Sequence, residues 1–269
     1  YMVTLLSLIA LMKYVSFSGL VTAWDARLWL ALPIVCHIHI LSSVYIHNCT
    51  HGNFPRAINR LVGEICGVIV LTRYASWEII HQRHHKYSDD LERDPHPIVP
   101  ENSGYWPFLV HTVLNVERQL QTLFFELNGG DTPENRRFEK GRAYLSYATN
   151  IVLIVTWYLF LGPVGFFFLF LPAGLLGFFH LVHFNWSTHN PYSPNDDFQP
   201  VNLNNGFYRI GNFLWHGIYM HGNHHQSSGM FNPSKMAAEK SLPIIRHGDS
   251  TEHYTRKKTK KAKARKAVA

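Results

Sequence analysis

From Tyr144 to Phe184 the chain runs for 41 residues without one Asp, Glu, Lys or Arg, and from Leu28 to Pro55 for another 28. A soluble core does not need such runs, whereas a helix crossing roughly 30 Å of hydrocarbon needs about 20 mostly apolar residues. The longer run is too long for one span and is cut by Gly162-Pro163, a turn signal. It predicts two spans, about 144–161 and 164–184, joined as a hairpin. The stretches 3–24 and 28–46, linked by Asp25-Ala26-Arg27, predict a second hairpin. Lys13 interrupts the first of them, where a lysine at the membrane centre costs about 2.5–3.5 kcal/mol, so that span is expected to be broken, shifted or supported by missing preceding sequence. The chain opens on Tyr1 with no readable signal peptide, which leaves its start open to truncation. The fold expected is all-α and integral to a membrane, with four transmembrane helices in two hairpins.

The basic residues give the sidedness. The links inside the two hairpins hold one, Arg27, while residues 48–143 and 185–269 hold 23 of the 25. Those two stretches, and both termini, are expected on the cytoplasmic side as a cap over the helices. Eight of the basic residues lie in the closing segment TRKKTKKAKARKAVA; without them 17 basic face 18 acidic residues, so the body offers no basic face for nucleic acid. Residues 1–253 are read as one membrane domain and 254–269 as a basic disordered tail near anionic lipid. Two shorter apolar stretches, Leu61–Leu71 and Phe207–Met220, are too short to span and are read as interfacial. With 38 aromatic residues the chain is not disordered, and three cysteines, Cys36, Cys49 and Cys66, do not make a disulfide scaffold.

Eighteen histidines are the second anomaly. Three clusters share a spacing: His47-Asn-Cys-Thr-His51, His81-Gln-Arg-His84-His85 and His221-Gly-Asn-His224-His225. Residues three or four apart lie on one face of a helix, about 5–6 Å apart, so each cluster aims two or three imidazoles at one point. The end of the last span adds HLVHFNWSTH, in which Asn185 and His189 have the same four-residue spacing and His180 and His183 are further candidates. Counting His47, His51, His81, His84, His85, His189, His221, His224 and His225 gives nine ligands, too many for one ion and suited to two. No Cys-x-x-Cys is present, so thiolate zinc is disfavoured; an imidazole set suits iron, the metal of oxygen chemistry. His37 and His39 lie inside a span, where an ionisable group is functional by default, but neutral histidines bonded to helix carbonyls are at least as good a reading. His96, His111, His216, His247 and His253 are left as surface or supporting residues. Asp94 is the first candidate to accept the other ring N–H of a ligand, with Asp89, Asp90, Glu78 and Asp197 behind it. Trp77, Tyr74, Trp186 and Trp215 flank the clusters, as lining of an acyl tunnel or as an interface belt.

These boxes, HNCTHGNF, HQRHHKYSDDLERDP and HGNHH in that order between two apolar hairpins, resemble the integral-membrane fatty acid desaturase and hydroxylase superfamily. The three intervening residues of the first box are closer to its acyl-lipid than to its acyl-CoA enzymes. The resemblance covers most of the chain. It implies a non-haem di-iron centre held by histidine, with Asn185 acting through a water, dioxygen as co-substrate, and a fatty acyl lipid, acyl carrier or free fatty acid as substrate. It also implies electrons from a ferredoxin, rubredoxin or cytochrome b5, and residence in a bacterial inner membrane or the endoplasmic reticulum. No fused haem or ferredoxin motif is read in the chain. Abstraction of hydrogen from an unactivated C–H bond leaves a radical that a second abstraction turns into an alkene, oxygen rebound into an alcohol, and loss of carbon dioxide into a terminal alkene. Ligand spacing does not separate these outcomes, and desaturation rests on the family's commonest activity. Two other classes are set aside: a b-type haem protein needs histidines facing across spans, and a metal transporter needs polar ligands near mid-membrane, where only His37, His39 and Lys13 lie.

Overall fold

The computed structural model describes residues 23, 24, 26–88, 93–95, 104–189 and 200–247. The expected first span, residues 3–24, and the basic tail, 254–269, therefore lie outside the described residues except at the span's last two positions. Six long or medium helices carry most of what is described: α1 (Leu28–Thr50), α2 (Arg56–Ile69), α3 (Tyr74–Tyr87), α4 (Tyr105–Leu127), α5 (Pro133–Val164) and α6 (Leu171–Thr188), the last two joined by a π-helical turn at Gly165–Phe170. Shorter pieces follow: β1 (Asn202–Leu203), α7 (Phe207–Leu214), α8 (His221–Gln226) and β2 (Ile244–Ile245). Their contacts divide into two compact units, one built from the described residues up to Gln82 with Leu114–Leu181, the other from Arg83–Val113 with those from Val182 onward.

In the first unit, α1 has 23 residues, about 35 Å of helix, and is apolar enough to cross a membrane. It runs past the expected end at residue 46 to Thr50, so His47 sits in its last turn and His51 caps it. Among the described residues, the other stretch long and apolar enough to cross a membrane lies within Pro133–Thr188. Gly162 breaks it with φ 71° and ψ 169°, values outside the helical region. Trp157 then stacks on Phe170, ring centroids 4.9 Å apart, although a straight helix would separate residues thirteen apart by about 20 Å. The chain thus turns back at Gly162. Helix α5 starts at Pro133, earlier than the uncharged run, because Thr132 accepts a hydrogen bond from the Asn135 N–H, Pro133 fills the first turn and Glu134 lies beside the positive helix end.

A buried cluster of Ile46, Cys49, Cys66 and Tyr74 ties α1, α2 and α3 together. The Tyr74 hydroxyl donates to the Cys49 carbonyl at 2.8 Å, and Gly63 lies so close to the Tyr74 ring that an added Cβ would stand 2.8 Å from it. Val68 and Leu153 pack with Leu71 and Trp157, whose Nε1–H donates to the Val68 carbonyl. His39 is buried, edge-on to Phe170 and under Gly174 and Gly177 of α6, where it packs two apolar helices together. The carboxylate of Glu139, 1% exposed, binds the Arg142 guanidinium, which also reaches Glu117 of α4. Helix α2 exposes Ile58, Leu61 and Ile65 and buries Gly63, Cys66 and Gly67; it starts at Arg56, ahead of the apolar stretch that marked it in the sequence.

The second unit departs from an all-helical reading. β1 and β2 pair in parallel, and Asn202 bridges Met220 in the antiparallel sense. The stretch 207–220 is not one helix: α7 stops at Leu214, because His216 and Gly217 both take positive φ, 53° and 74°. Gly217 is obligatory there, since a Cβ would lie 2.4 Å from Ser234 Oγ. The turn sends Tyr219 and Met220 back against β1, and α8 follows at once.

Candidate metal centre

Three histidines of the first unit converge. His47 and His51, four residues apart at the end of α1, meet His81 of α3. The His47 and His81 rings lie 4.3 Å apart, and the Nε2 atoms of His51 and His81 are separated by 2.9 Å. Burial holds the His51 imidazole down to about 4, so at neutral pH it is uncharged and one of its ring nitrogens is an acceptor. Trp77, one turn before His81, stacks flat on its ring at 5.5 Å.

In the second unit four histidines from three elements form a closed set: His84 of α3, His189 just beyond α6, and His221 and His225 of α8, with ligand atoms all within 4.8 Å of one another. Successive Nε2 atoms are spaced 3.2 Å from His84 to His225, 3.1 Å from His225 to His221 and 3.2 Å from His221 to His189. Two nitrogens held at right angles on an ion, with bonds of about 2.1 Å, are about 3.0 Å apart. The spacing therefore suits coordination of one ion by imidazole. His85 and His224 form a further pair, Nε2 to Nε2 3.1 Å, with His85 stacked on His225.

Asp94 fixes one of these rings. Its Oδ1 lies 2.8 Å from His84 Nδ1, with both side chains buried, at 3% and 0% exposure. A carboxylate accepts, so Nδ1 carries the proton and Nε2 presents its lone pair to His189, His221 and His225. Arg83 Nε–H donates to the Arg93 carbonyl beside it, and both guanidinium groups cover Tyr87. Phe184 meets the His221 ring edge-on at 4.7 Å, an apolar wall on that side.

The remaining candidates are distributed as follows. Glu78 accepts from Tyr74 and pairs with Arg60, away from any imidazole contact of its own; Asp89, Asp90 and Asp197 lie outside the described residues, as do His96 and His253. His180 and His183 belong to neither histidine group among the described residues. His183 lies among Tyr105, Trp186 and Tyr208, and His247 lies against Trp186, where burial and then His183 lower its affinity for a proton. Asn185 is buried in the last turn of α6, and its carbonyl accepts from the His189 N–H. His111 is exposed on α4. Cys66 is no thiolate: burial pushes its thiol up to about 11.

One group has no counterpart in the sequence reading. Asn202, Asn223 and Ser241 are joined by short hydrogen bonds beside α8. The asparagines at 202, 204, 205 and 223 were the visible signal, since buried amides need partners, but their pairing is long-range.

Among the described residues, each unit thus gathers imidazoles, and in the second a carboxylate, Asp94, anchors one of them. The family model for fatty acid desaturases matches residues 24–231, and the chain belongs to that family. Among curated proteins it is similar to the sn-1 oleoyl-lipid 12-desaturase of Anabaena variabilis, 35% identical over 86 residues, covering 29% of this chain and 25% of that protein. The sn-1 oleoyl-lipid 12-desaturase of Picosynechococcus is 30% identical over 76 residues, 27% of this chain and 22% of the relative. The Delta(12) fatty acid desaturase of Mortierella alpina is 36% identical over 75 residues, covering 27% of this chain and 18% of the relative. The matches span a quarter or less of the length of these relatives. No solved structure matches the chain at a significant level.

Proposed function

We propose that this chain is an oxygen-dependent desaturase that introduces a double bond into a fatty acyl chain carried on a lipid, using two non-haem iron ions held by His47, His51, His81, His84, His85, His189, His221, His224 and His225. The observation that carries the reading is the set of Nε2 spacings of 3.1–3.2 Å among His84, His189, His221 and His225, beside the family membership. An acyl-lipid substrate is favoured by the three-residue gap in the first box and by the names of the relatives.

Bound iron supplies the activation of dioxygen and the power to oxidise an unactivated C–H bond. The chain's own residues present neutral imidazoles at fixed spacing. Asp94 keeps the His84 proton on Nδ1, away from the cluster, and Asn185 would act through a water, as the resemblance to the family implies. Trp77 and Phe184 cover His81 and His221 and limit water around the ring nitrogens. In the proposed membrane arrangement, four spans form two hairpins, with the termini and histidines on the cytoplasmic side. The expected span 3–24 completes the first hairpin, and electrons come from a separate ferredoxin, rubredoxin or cytochrome b5. The exposed apolar residues Ile58, Leu61 and Ile65 of α2 and Phe207, Ile210 and Phe213 of α7 suit the headgroup boundary.

The test is iron content per chain under anaerobic conditions, followed by mass spectrometry of lipids after reductant and oxygen are added. About two irons per chain and a product lacking one pair of hydrogens is the expected result. A product heavier by one oxygen atom makes the chain a hydroxylase, and one shorter by a carbon makes it a decarboxylase. Near-zero iron with stoichiometric zinc or haem overturns the oxidative reading.

A further inference from the structure

Three imidazoles of the centre, His221, His224 and His225, stand on a helix of six residues. Helices shorter than about 12 residues are marginal on their own in water, so the direction of these rings is set by whatever holds the helix from outside. What holds it is Asn223, the residue between the histidines, 1% exposed. Its Oδ1 accepts from Asn202 Nδ2 at 2.8 Å and from the Leu242 N–H at 2.8 Å, and its Nδ2 donates to the Pro233 carbonyl at 3.2 Å and to Ser241 Oγ at 3.0 Å. Its main-chain N–H donates to Asn202 Oδ1 at 3.0 Å, and Asn202 Nδ2 reaches the Leu242 carbonyl at 2.9 Å. Both hydrogens and both lone-pair directions of the Asn223 amide are thus engaged, by four partners from three separate segments. Gly222 lets the helix approach, because a Cβ there would stand 2.9 Å from the Pro200 carbonyl oxygen.

We propose that Asn223, clasped by Asn202, is a positioning residue of the metal centre: it sets the orientation of His221, His224 and His225 and thereby the affinity and geometry of the ion that His84, His189, His221 and His225 hold. The inference rests on the metal-binding reading above. Aspartate at 223 would keep an oxygen for Asn202 and Leu242 but place a second oxygen against the Pro233 carbonyl, so it restores only half of the clasp.

The test uses cobalt(II) as the probe, with the full chain purified in detergent and its ligand-field absorption recorded during titration. The parent chain is expected to bind about two cobalt ions per chain. Asn223→Ala is expected to weaken one of the two by about ten-fold or more and to change its absorption bands, with helix content by circular dichroism unchanged. Asn223→Asp should fall between the two, and Asn202→Ala should reproduce the effect without adding to it in the double variant. Asn128→Ala, which removes an exposed helix-end hydrogen bond of similar length far along the chain, serves as the control and should leave both ions untouched. If Asn223→Ala fails to fold, Asn202→Ala and Ser241→Ala, each removing one side of the clasp, decide in its place. Unchanged cobalt affinity and spectrum in the folded variants overturns the inference. Failure of the parent chain to bind cobalt overturns the metal reading instead.

Discussion

Replacing Asp94 by alanine isolates what a single carboxylate contributes to the centre. In the parent chain its Oδ1 accepts from His84 Nδ1–H at 2.8 Å, with neither side chain open to solvent. Removing the acceptor leaves a buried ring N–H without its carboxylate, and hydrogen bonds to charged groups contribute about 1.5–3 kcal/mol. The same removal unfixes the tautomer: nothing then favours the proton on Nδ1 over Nε2, the atom that faces His189, His221 and His225. Both effects act on the metal-loaded form, and at about 1.4 kcal/mol per factor of ten the expected loss is about ten- to a hundred-fold in ferrous affinity. Asp94→Asn keeps an oxygen acceptor and loses only the charge, so its loss should be smaller. The assay is anaerobic competition for ferrous iron with a chromophoric chelator, alongside circular dichroism to establish that the chain is folded. Unchanged affinity in a folded Asp94→Ala would refute the reasoning, because it would mean that the carboxylate does not direct the His84 proton.

Other positions give sharper structural checks. Gly63→Ala places a Cβ 2.8 Å from the Tyr74 ring between α2 and α3, and overpacking of that kind costs about 1–3 kcal/mol, read as a lowered thermal midpoint. Gly222→Ala meets the Pro200 carbonyl at 2.9 Å, a backbone atom with little freedom to yield, and should reduce bound iron without altering the helix content of the long apolar segments. The Cys66 thiol keeps its proton to about 11 in the folded chain because of burial, opposed by a hydrogen bond from Ser42, whereas an unfolded thiol releases it near pH 8.5. Stability from this group is full below about 8.5 and is lost as pH climbs toward about 11. Cys66→Ala should flatten that part of a denaturation profile, and identical pH dependence in the two proteins would count against burial of the sulfur.

The long uncharged runs made α1 and the Pro133–Thr188 stretch readable, because few arrangements other than a spanning helix accommodate them. Hydropathy located only their apolar middles. Polar residues continue α5 back to Pro133, where the cap at Thr132 rather than apolarity sets the start. Helix α4 went unread for a related reason: Trp106, Val110, Val113 and Leu114 are spaced as one face of a helix, but Asn115, Glu117 and Arg118 follow at once and the stretch looks like loop to a charge count. Break points were legible where glycine carried them, as at Gly162. The end of α7 was not, since His216 at φ 53° gives no sign in composition that it will leave the helix.

The three histidine boxes differ in how much of their geometry is local. His47 and His51 inherit their spacing from the last turn of a 23-residue helix, and His81, His84 and His85 from a 14-residue one, so spacing along the chain already fixes which rings share a face. The third box lacks that support. Its six-residue helix is held by amide, carbonyl and hydroxyl partners at 202, 233, 241 and 242, between 10 and 21 residues away from Asn223. Its pattern in the sequence is as regular as that of the second box, yet regularity there records the result and not the cause. Substitutions on α1 and α3 should therefore act on the centre mainly when they touch a histidine or its direct partner. Around α8, residues that touch no imidazole should matter as much as the ligands, and iron affinity should track the number of hydrogen bonds left to Asn223.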